Sequence, residues 1–475
     1  MANPRGFLEV KKEKNKIRSV DERLKDFLSV DECLSDDKRI LQASRCMDCG
    51  ISFCHWACPL GNLMPEWQDM IYLGRWKDAY DILSSTNNFP EFTGKVCPAL
   101  CEASCVLSID DKSVTIKDNE LAVVEKAFSE GYIQPNLEID RAGKKVAVIG
   151  SGPAGLACAD QLNKKGYTVI VYEKENKPGG LLRYGIPDFK LEKHLIDRRI
   201  ELMEKEGIIF ETGITVGNDL KLADLKRSFD AICITVGAKI PRDISVQGRS
   251  LKGIYFAMDY LVAQNRFNSG EMSKDKSFIN AKDKNVVVIG GGDTGSDCVG
   301  TANRQGAKSV VQIEILPKPP VYRNEDMPWP FWPTLLKTST SHEEGCDRLW
   351  SIMTKEFIGE KDNVKEIEMV KVNWDIDYLG NKKMTEVKNS NFKMDADLVF
   401  LALGFTKVEQ DLFNDKHICL EKDEKGNIKV DDSFQTNIPG IFAAGDASRG
   451  PSLVVKAIAD GRAAAEGIDC FIRNQ

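Results

Sequence analysis

The chain has 475 residues, which at about 150 residues per domain leaves room for roughly three domains. Its 65 Lys and Arg against 72 Asp and Glu give a net charge of −7, an acidic balance that argues against nucleic acid or an anionic membrane surface as partner. Hydrophobic residues make up 42%, enough for packed cores, no apolar run reaches the ~20 residues of a membrane-spanning helix, and the Lys/Glu-rich start lacks the apolar stretch of a signal peptide, so a cytoplasmic location is expected.

Residues 1–45 are charged and helix-prone, with apolar Leu24, Phe27, Leu28, Leu34 and Leu41 thinly spaced. Eight of the fourteen cysteines fall within the first 105 residues. A reducing cytoplasm disfavours structural disulfides, so a dense cluster there points to metal. The spacing is Cys46-x2-Cys49-x4-Cys54-x3-Cys58-Pro59, followed by Cys97-x3-Cys101-x3-Cys105. Short spacing lets sulfurs converge from a loop on a compact cubane, and a Pro after the last cysteine also occurs in ferredoxin-type runs. Seven thiolates are one short of two [4Fe–4S] clusters. Two zinc sites remain an alternative, although zinc ribbons use two separated Cys-x2-Cys knuckles and only one occurs here. His55 is expected to be an exposed neighbour rather than a ligand. Trp67, Met70, Ile71, Leu73 and Trp76 recur at helical spacing and predict helices over 62–83. A further helix is predicted over 119–133, and Gln134-Pro135-Asn136 breaks it. Residues 1–140 thus read as one helical, cluster-bearing domain.

The pattern changes at Lys144. Val146–Ile149 reads as a buried strand, Gly150-Ser-Gly-Pro-Ala-Gly155 as a turn, Leu156 to about Lys165 as a helix, and Thr168–Tyr172 as a second strand closed by Glu173. The same plan recurs in Val286–Ile289, Gly290-Gly-Gly-Asp-Thr-Gly295, a helix through Arg304, Val310–Ile313 and Glu314. Each GxGxxG lies between a strand and a helix with an acid about 20 residues on, the context that the dinucleotide fingerprint requires. Gly150 permits the tight turn, Gly152 lets backbone approach a pyrophosphate, and Gly155 lets helix and strand close up. The helix N-terminus faces the phosphates and Glu173 accepts from a ribose. Gly290, Gly292, Gly295 and Glu314 repeat these roles. Two such sites suggest a flavin dinucleotide and a nicotinamide nucleotide.

Thr436–Asp446, a strand running into Gly445-Asp446, completes a resemblance to flavoprotein oxidoreductases with two dinucleotide domains. The resemblance implies that Asp446 contacts the flavin ribityl–phosphate region. It also implies that Asp230–Ala238 and Asp397–Gly404 are connecting strands. The fold class expected is α/β, two Rossmann-like three-layer domains after an N-terminal all-α iron–sulfur domain. The expected boundaries are 141–258 plus 395–475 for a discontinuous FAD domain and 259–394 for an inserted NAD(P)H domain. Disulfide reductases of this fold carry a redox cysteine pair. Here Cys158, Cys233, Cys298, Cys346, Cys419 and Cys470 stand singly, so that activity is not expected. A nicotinamide gives two electrons and a cluster takes one, so FAD must stand between them. No side chain is needed as catalytic acid or base, only positioning of the nicotinamide over the flavin.

The whole chain, from about residue 5, resembles the small subunit of bacterial-type glutamate synthase. The residues that carry this are Cys46–Pro59, Val96–Glu102, the two glycine-rich turns, Gly179–Lys190, Pro328–Pro333 and Ser341–Gly345. The resemblance implies FAD, NADH or NADPH, two [4Fe–4S] clusters, and a large-subunit partner with FMN and iron–sulfur that makes glutamate from glutamine and 2-oxoglutarate. The chain lacks a cysteine at position 2 for amidotransfer and has no length left for an FMN barrel. The first cluster would use Cys46, Cys49, Cys54 and Cys105, and the second Cys58, Cys97, Cys101 and, in the helix beyond, Glu120. The alternative for Glu120 is an ordinary exposed helix carboxylate. Pro153, Ala154, Lys174, Gly180, Leu181 and Lys190 are implied at the flavin with Gly445, and Gly291, Asp293, Thr294 and Gly404 at the nicotinamide nucleotide.

Glu314 is followed by Ile-Leu-Pro rather than an arginine pair, which favours NADH, with Arg323 or Lys318 as the cations that could still reach a 2′-phosphate. His342, Glu343 and Glu344 are not expected to be catalytic, and Trp329, Phe331 and Trp332 are expected to pack. The competing readings are a related oxidoreductase serving ferredoxin or another acceptor, and a zinc scaffold with vestigial nucleotide folds.

Overall fold

The computed structural model describes residues 3–273, 278–376, 382–409 and 418–475. Two five-stranded parallel sheets carry the two glycine-rich turns. The first runs in the order Ile441–Ala443, Ala231–Ile234, Lys145–Ile149, Thr168–Glu173, Ile209–Thr212. Its central strands are apolar on both faces, as a covered parallel sheet demands. Val146, Val148, Val169 and Val171 pack on one side with Leu156, Ile458 and Ile468 of the helices Pro153–Lys164 and Val454–Arg473. Ala147, Ile149, Ile232 and Ile234 pack on the other with Leu222, Leu225, Val408 and Ile428.

The second sheet runs Asp347–Trp350, Ser309–Glu314, Asn285–Ile289, Leu398–Leu401, Ile254–Phe256. The helices Ala257–Asn268 and Asp293–Arg304 cover one face. Its other face meets an antiparallel sheet of Ile352–Glu360, Asn363–Ile376, Lys382–Glu386 and Phe392–Asp395, through Phe357, Ile367 and Met369.

These pairings move both expected domain boundaries. Ile254–Phe256 and Leu398–Leu401 were assigned by sequence to the FAD domain but pair with each other and, through Val399 opposite Val287, with the second sheet. The physical reason is hydrogen bonding on both sides: Leu398–Leu401 is enclosed at all four residues and pairs with Ile254–Phe256 on one edge and Asn285–Ile289 on the other. The second domain therefore extends from Ile254 to Leu401. The two crossings between domains lie side by side, Thr406 donating its N–H to Ile240 O at 2.9 Å and Arg242 to Gly404 O at 2.9 Å.

The N-terminal domain consists mainly of short helices, Asp36–Ala43, Phe53–Ala57, Met64–Tyr72, Trp76–Thr86, Pro90–Val96, Leu100–Ser104 and Ile116–Ser129. Met64, Trp67, Ile71, Leu83 and Val123 belong to its core; of the residues whose spacing predicts helices over 62–83, Trp67, Ile71 and Trp76 are buried, Met70 is half-buried and Leu73 is exposed. The helix-prone reading of the start is corrected. Among the described residues only Gly6–Glu9 and Val20–Arg23 are helical before residue 36, and Lys16–Ile17 pairs with Asp31–Glu32 as a small ladder. Tertiary anchoring overrides propensity there: Arg23 is buried against Glu344 at 3.4 Å, and Val30 N–H reaches Phe189 O.

Candidate functional site

The Gly150–Gly155 turn opens on a cavity of 270 Å³. Gly150 has φ +100°, and a side chain there would strike Thr235 O at 2.7 Å. A Cβ on Gly155 would stand 1.9 Å from Gly150 O, whereas one on Gly152 would meet nothing within 4 Å. The turn is thus tight behind and open in front, a cradle for a phosphate. Glu173 is buried; its Oε2 accepts from Ser151 N at 3.0 Å and its Oε1 from Glu175 N at 2.9 Å.

Of the flavin residues expected from sequence, Gly150, Gly152, Pro153, Ala154, Glu173, Lys174, Gly180, Leu181 and Asp446 line this cavity. Gly155 and Gly445 shape it from behind: Gly445 has φ +66° and its Cβ would come within 2.7 Å of Ala154. Lys190 is the further residue that the resemblance implies at the flavin. It lies outside the lining and pairs with Asp297 of the second domain, so it ties the domains together. Burial raises the Asp446 carboxyl to about 6, against a hydrogen bond donated by Ser452 Oγ at 2.8 Å. Sequence reading missed Lys239 and Glu409. Glu409 bonds Lys174 Nζ at 2.7 Å on the cavity wall. It lies on the second crossing, where no motif marks it.

Two smaller cavities lie beyond. Cys58, Cys97, Cys101 and Glu120 line one. Cys46, Cys49, Cys54 and Cys105 line the other. Val455 lines the Cys58 cavity while its neighbours Val454 and Ala457 line the flavin cavity. Met64 lines both cysteine cavities. The three cavities therefore follow one another, with the Cys46 set farthest from the flavin. His55 lines neither.

The loops aim backbone N–H groups at sulfur. Asp48 and Ala99 take φ +49° and +64°, uncommon for non-glycine residues, and each directs its N–H to the cysteine two residues before it. Leu60, Gly61 and Asn62 do the same for Cys58. Arg45 is buried and donates to Val10 O, Lys112 O and Ser113 O, which clamps the Cys46 loop near Cys105. Burial pushes the thiols of Cys46, Cys54 and Cys97 up to about 12 and that of Cys58 up to about 11. Four donors line each cavity, the number of protein ligands that a [4Fe–4S] cluster takes. Glu120 is buried, not the exposed helix carboxylate of the bland alternative. It accepts from Asn87 Nδ2 at 3.0 Å and from Thr93 Oγ1, both on Oε1, and burial raises it to about 7.

At the second turn Gly290 has φ +119°, and a Cβ on Gly295 would stand 2.3 Å from Gly290 O. Glu314 Oε2 accepts from Gly291 N at 2.6 Å and Oε1 from Leu316 N at 2.9 Å. Gly292, Asp293 and Thr294 stand at the start of the helix Asp293–Arg304. Gly404, with φ +81°, sits beyond the strand beside the turn. Gln312 Nε2 donates to Gly290 O at 2.9 Å. Arg323 cannot serve a phosphate as expected, because it donates to Ala103 O, Met327 O and Phe331 O. Lys318 and Arg348 instead flank the Trp350 ring at 5.0 and 4.9 Å, and Trp350 is the register partner of Glu314.

Cys158 and Cys233, separate in sequence, touch in the core of the first domain as free, fully buried thiols away from the cavity wall.

Two covered parallel sheets, each with a glycine-rich phosphate cradle at a strand-to-helix turn, define a pyridine nucleotide-dependent oxidoreductase. Residues 144–461 match the family described as pyridine nucleotide-disulphide oxidoreductase, and residues 23–132 match dihydropyrimidine dehydrogenase domain II, 4Fe-4S cluster. The chain is 47% identical to the glutamate synthase [NADPH] small chain of Mycobacterium tuberculosis, over 99% of this chain and 96% of that one. It is 44% identical to the glutamate synthase [NADPH] small chain of Bacillus subtilis over 99% of both. It belongs to the glutamate synthase small-chain family. The glutamate synthase [NADH] of Schizosaccharomyces pombe is also 44% identical, over 98% of this chain but only 22% of that protein. Among solved structures, Mycobacterium tuberculosis FprA in complex with NADPH superposes with a TM-score of 0.56 at 17% identity, over 70% of this chain and 85% of that one, a likeness of fold alone. Among the described residues no helix is long and apolar enough to cross a membrane.

Proposed function

We propose that this chain takes electrons from NADPH and delivers them to a large glutamate synthase subunit, carrying FMN and iron–sulfur, that forms glutamate from glutamine and 2-oxoglutarate. The observation that carries this reading is the unbroken order of cavities, flavin, Cys58 set, Cys46 set, joined by Val455 and Met64. FAD, when bound, accepts the nicotinamide's electron pair and releases electrons singly, which iron–sulfur clusters can carry.

The chain's own residues bind and orient. The Gly150–Gly155 turn and the following helix hold the pyrophosphate of FAD, Glu173 takes a ribose, and Asp446 with Ser452 faces the ribityl–phosphate end. Cys46, Cys49, Cys54 and Cys105 would hold one [4Fe–4S] cluster. Cys58, Cys97, Cys101 and the Oε2 of Glu120 would hold the second, since Oε1 is occupied by Thr93 and Asn87. The Gly290–Gly295 turn and Glu314 take the nicotinamide nucleotide. The preference for NADH rested on the absence of arginines after Glu314 in the sequence. Arg348 comes to the same place from the neighbouring strand, and with Lys318 it supports NADPH.

The test is anaerobic reconstitution with iron and sulfide, then titration with NADPH and with NADH. One FAD and about eight iron per chain, with reduction of both by NADPH, are expected. Zinc in place of iron, or a protein without flavin, would overturn the reading.

A further inference from the structure

Exposed apolar side chains on a soluble protein are ordinary when scattered and informative when gathered. Ile51 is 76% exposed, Trp56 62%, Phe331 57% and Trp332 40%. They come from two separate parts of the chain. Ile51 lies between Cys49 and Cys54, and Trp56 between Cys54 and Cys58. Phe331 and Trp332 belong to the loop that leaves the second nucleotide domain.

That loop is fastened to the first cysteine cavity. Trp329 packs on Phe53, a wall of the cavity, with ring centroids 4.6 Å apart. Its Nε1 donates to Cys105 O at 3.3 Å, and Ser104 Oγ donates to Pro330 O at 2.7 Å. Arg323 closes the loop with bonds to Phe331 O at 2.7 Å and Ala103 O at 2.9 Å. The inner aromatic residues are thus satisfied by packing on the N-terminal domain. The outer ones are held in water at fixed places: Phe331 meets Trp56 edge-on at 5.8 Å, and Lys337 Nζ stands 4.4 Å over the Trp332 ring. These contacts fix the rings but leave much of their apolar area in water, and rigid aromatic anchors are the residues that carry interface affinity.

We infer that Ile51, Trp56, Phe331 and Trp332 form the surface on which the large glutamate synthase subunit docks. This rests on the electron-delivery reading above. Two observations select that occupant. The patch lies over the cavity farthest from the flavin, where an electron acceptor must seat. In the Schizosaccharomyces pombe relative the matched region is 22% of the protein, so the same fold there is covalently continuous with a much larger remainder.

The test uses the full chain loaded with FAD and iron–sulfur, the separately purified large subunit, and three proteins: wild type, the double variant Ile51→Glu/Phe331→Glu, and Leu137→Glu, which places a charge on an equally exposed apolar residue of the interdomain segment. Both variants should keep wild-type iron and flavin content and wild-type NADPH-driven reduction of ferricyanide, which reports electron entry without the partner. The double variant should bind the large subunit at least about tenfold more weakly, and Leu137→Glu as wild type does. Tight binding by wild type with unchanged binding by the double variant would overturn the docking surface while leaving the electron-delivery reading intact. Equal weakening by Leu137→Glu would overturn it too. No binding by wild type would remove the large subunit as partner and both readings with it.

Discussion

His342 Nε2 is hydrogen-bonded to Gln312 Oε1 at 2.8 Å, and Gln312 in turn holds the carbonyl of Gly290. Because Gln312 spends its amide on Gly290 O, the imidazole must be the donor, and its Nδ1 accepts from Ser339 N at 3.1 Å. The ring is therefore neutral with its proton on Nε2. A polar run that reads as a loop is wired to the nucleotide turn.

Replacing His342 with Ala should free Gln312 and loosen the Gly290 turn. KM for the nicotinamide nucleotide should rise several-fold, as expected for a lost buried hydrogen bond of about 1 kcal/mol, with flavin content unchanged. The pH response follows from the same bonds. Burial, then the charges of Arg348 and Lys190, against Asp293, lower the imidazole from 6.5 to about 4. The unfolded chain then binds the extra proton first, so stability falls as pH drops from 6.5 towards 4. Urea midpoints across that window should slope less in His342→Asn than in wild type. Parallel slopes would remove His342 from this account.

Arg348 gives a sharper test of cofactor choice. If it and Lys318 receive the 2′-phosphate, Arg348→Ala should lower kcat/KM for NADPH by about tenfold or more and leave NADH little changed, since a hydrogen bond to a charged group contributes about 1.5–3 kcal/mol. Equal losses with both nucleotides would show that the residue serves the fold around Trp350.

The contrast between Glu314 and Arg348 shows what was legible in the sequence. The two fingerprints, the cysteine spacing and the strands flanking each glycine-rich turn are local patterns that sit within a residue or two of their expected places, whereas the connecting strands expected over Asp230–Ala238 and Asp397–Gly404 shorten to Ala231–Ile234 and Leu398–Leu401. Glu120 was nominated from a resemblance and is buried with the Cys58 set. What the sequence hid is lateral. Arg348 and Trp350 reach the Glu314 strand only because Asp347–Trp350 lies beside Ser309–Glu314, some 35 residues away in the chain. Lys190 follows a flavin-like motif but finds Asp297 across a domain boundary. Leu398–Leu401 reads the same whichever sheet it joins, so only packing could decide.

Domain alignment rests on a buried ion pair. Arg199 Nε meets Glu91 Oε1 at 2.5 Å, with both side chains enclosed. Glu91 lies on the helix Pro90–Val96 that ends at Cys97, and Arg199 on the helix Lys193–Lys205 of the flavin domain. Arg199→Ala would leave a carboxylate buried without its partner, at about 3–5 kcal/mol. Thermal unfolding should shift down by several degrees, and Glu91→Gln in the Arg199→Ala background should recover part of the loss. A midpoint within error of wild type would show that water replaces the pair.

The proposed role of Glu120 as a ligand of a second cluster has a direct test. Its carboxylate closes a cavity otherwise lined by three cysteines, and Thr93 and Asn87 fix its orientation through Oε1. Glu120→Ala removes a donor atom and leaves Thr93 and Asn87 facing a void. Iron should fall from about eight towards four per chain, with loss of one of two EPR signals on reduction. Glu120→Gln keeps an oxygen and the shape, so it should retain iron but shift the spectrum. Thr93→Val separates ligation from packing, because it removes the hydroxyl and leaves the carboxylate: iron should stay bound while the cluster becomes more labile to chelator. Full iron and an unaltered spectrum in Glu120→Ala would take the residue off the ligand set and leave the fourth position to solvent or to another group.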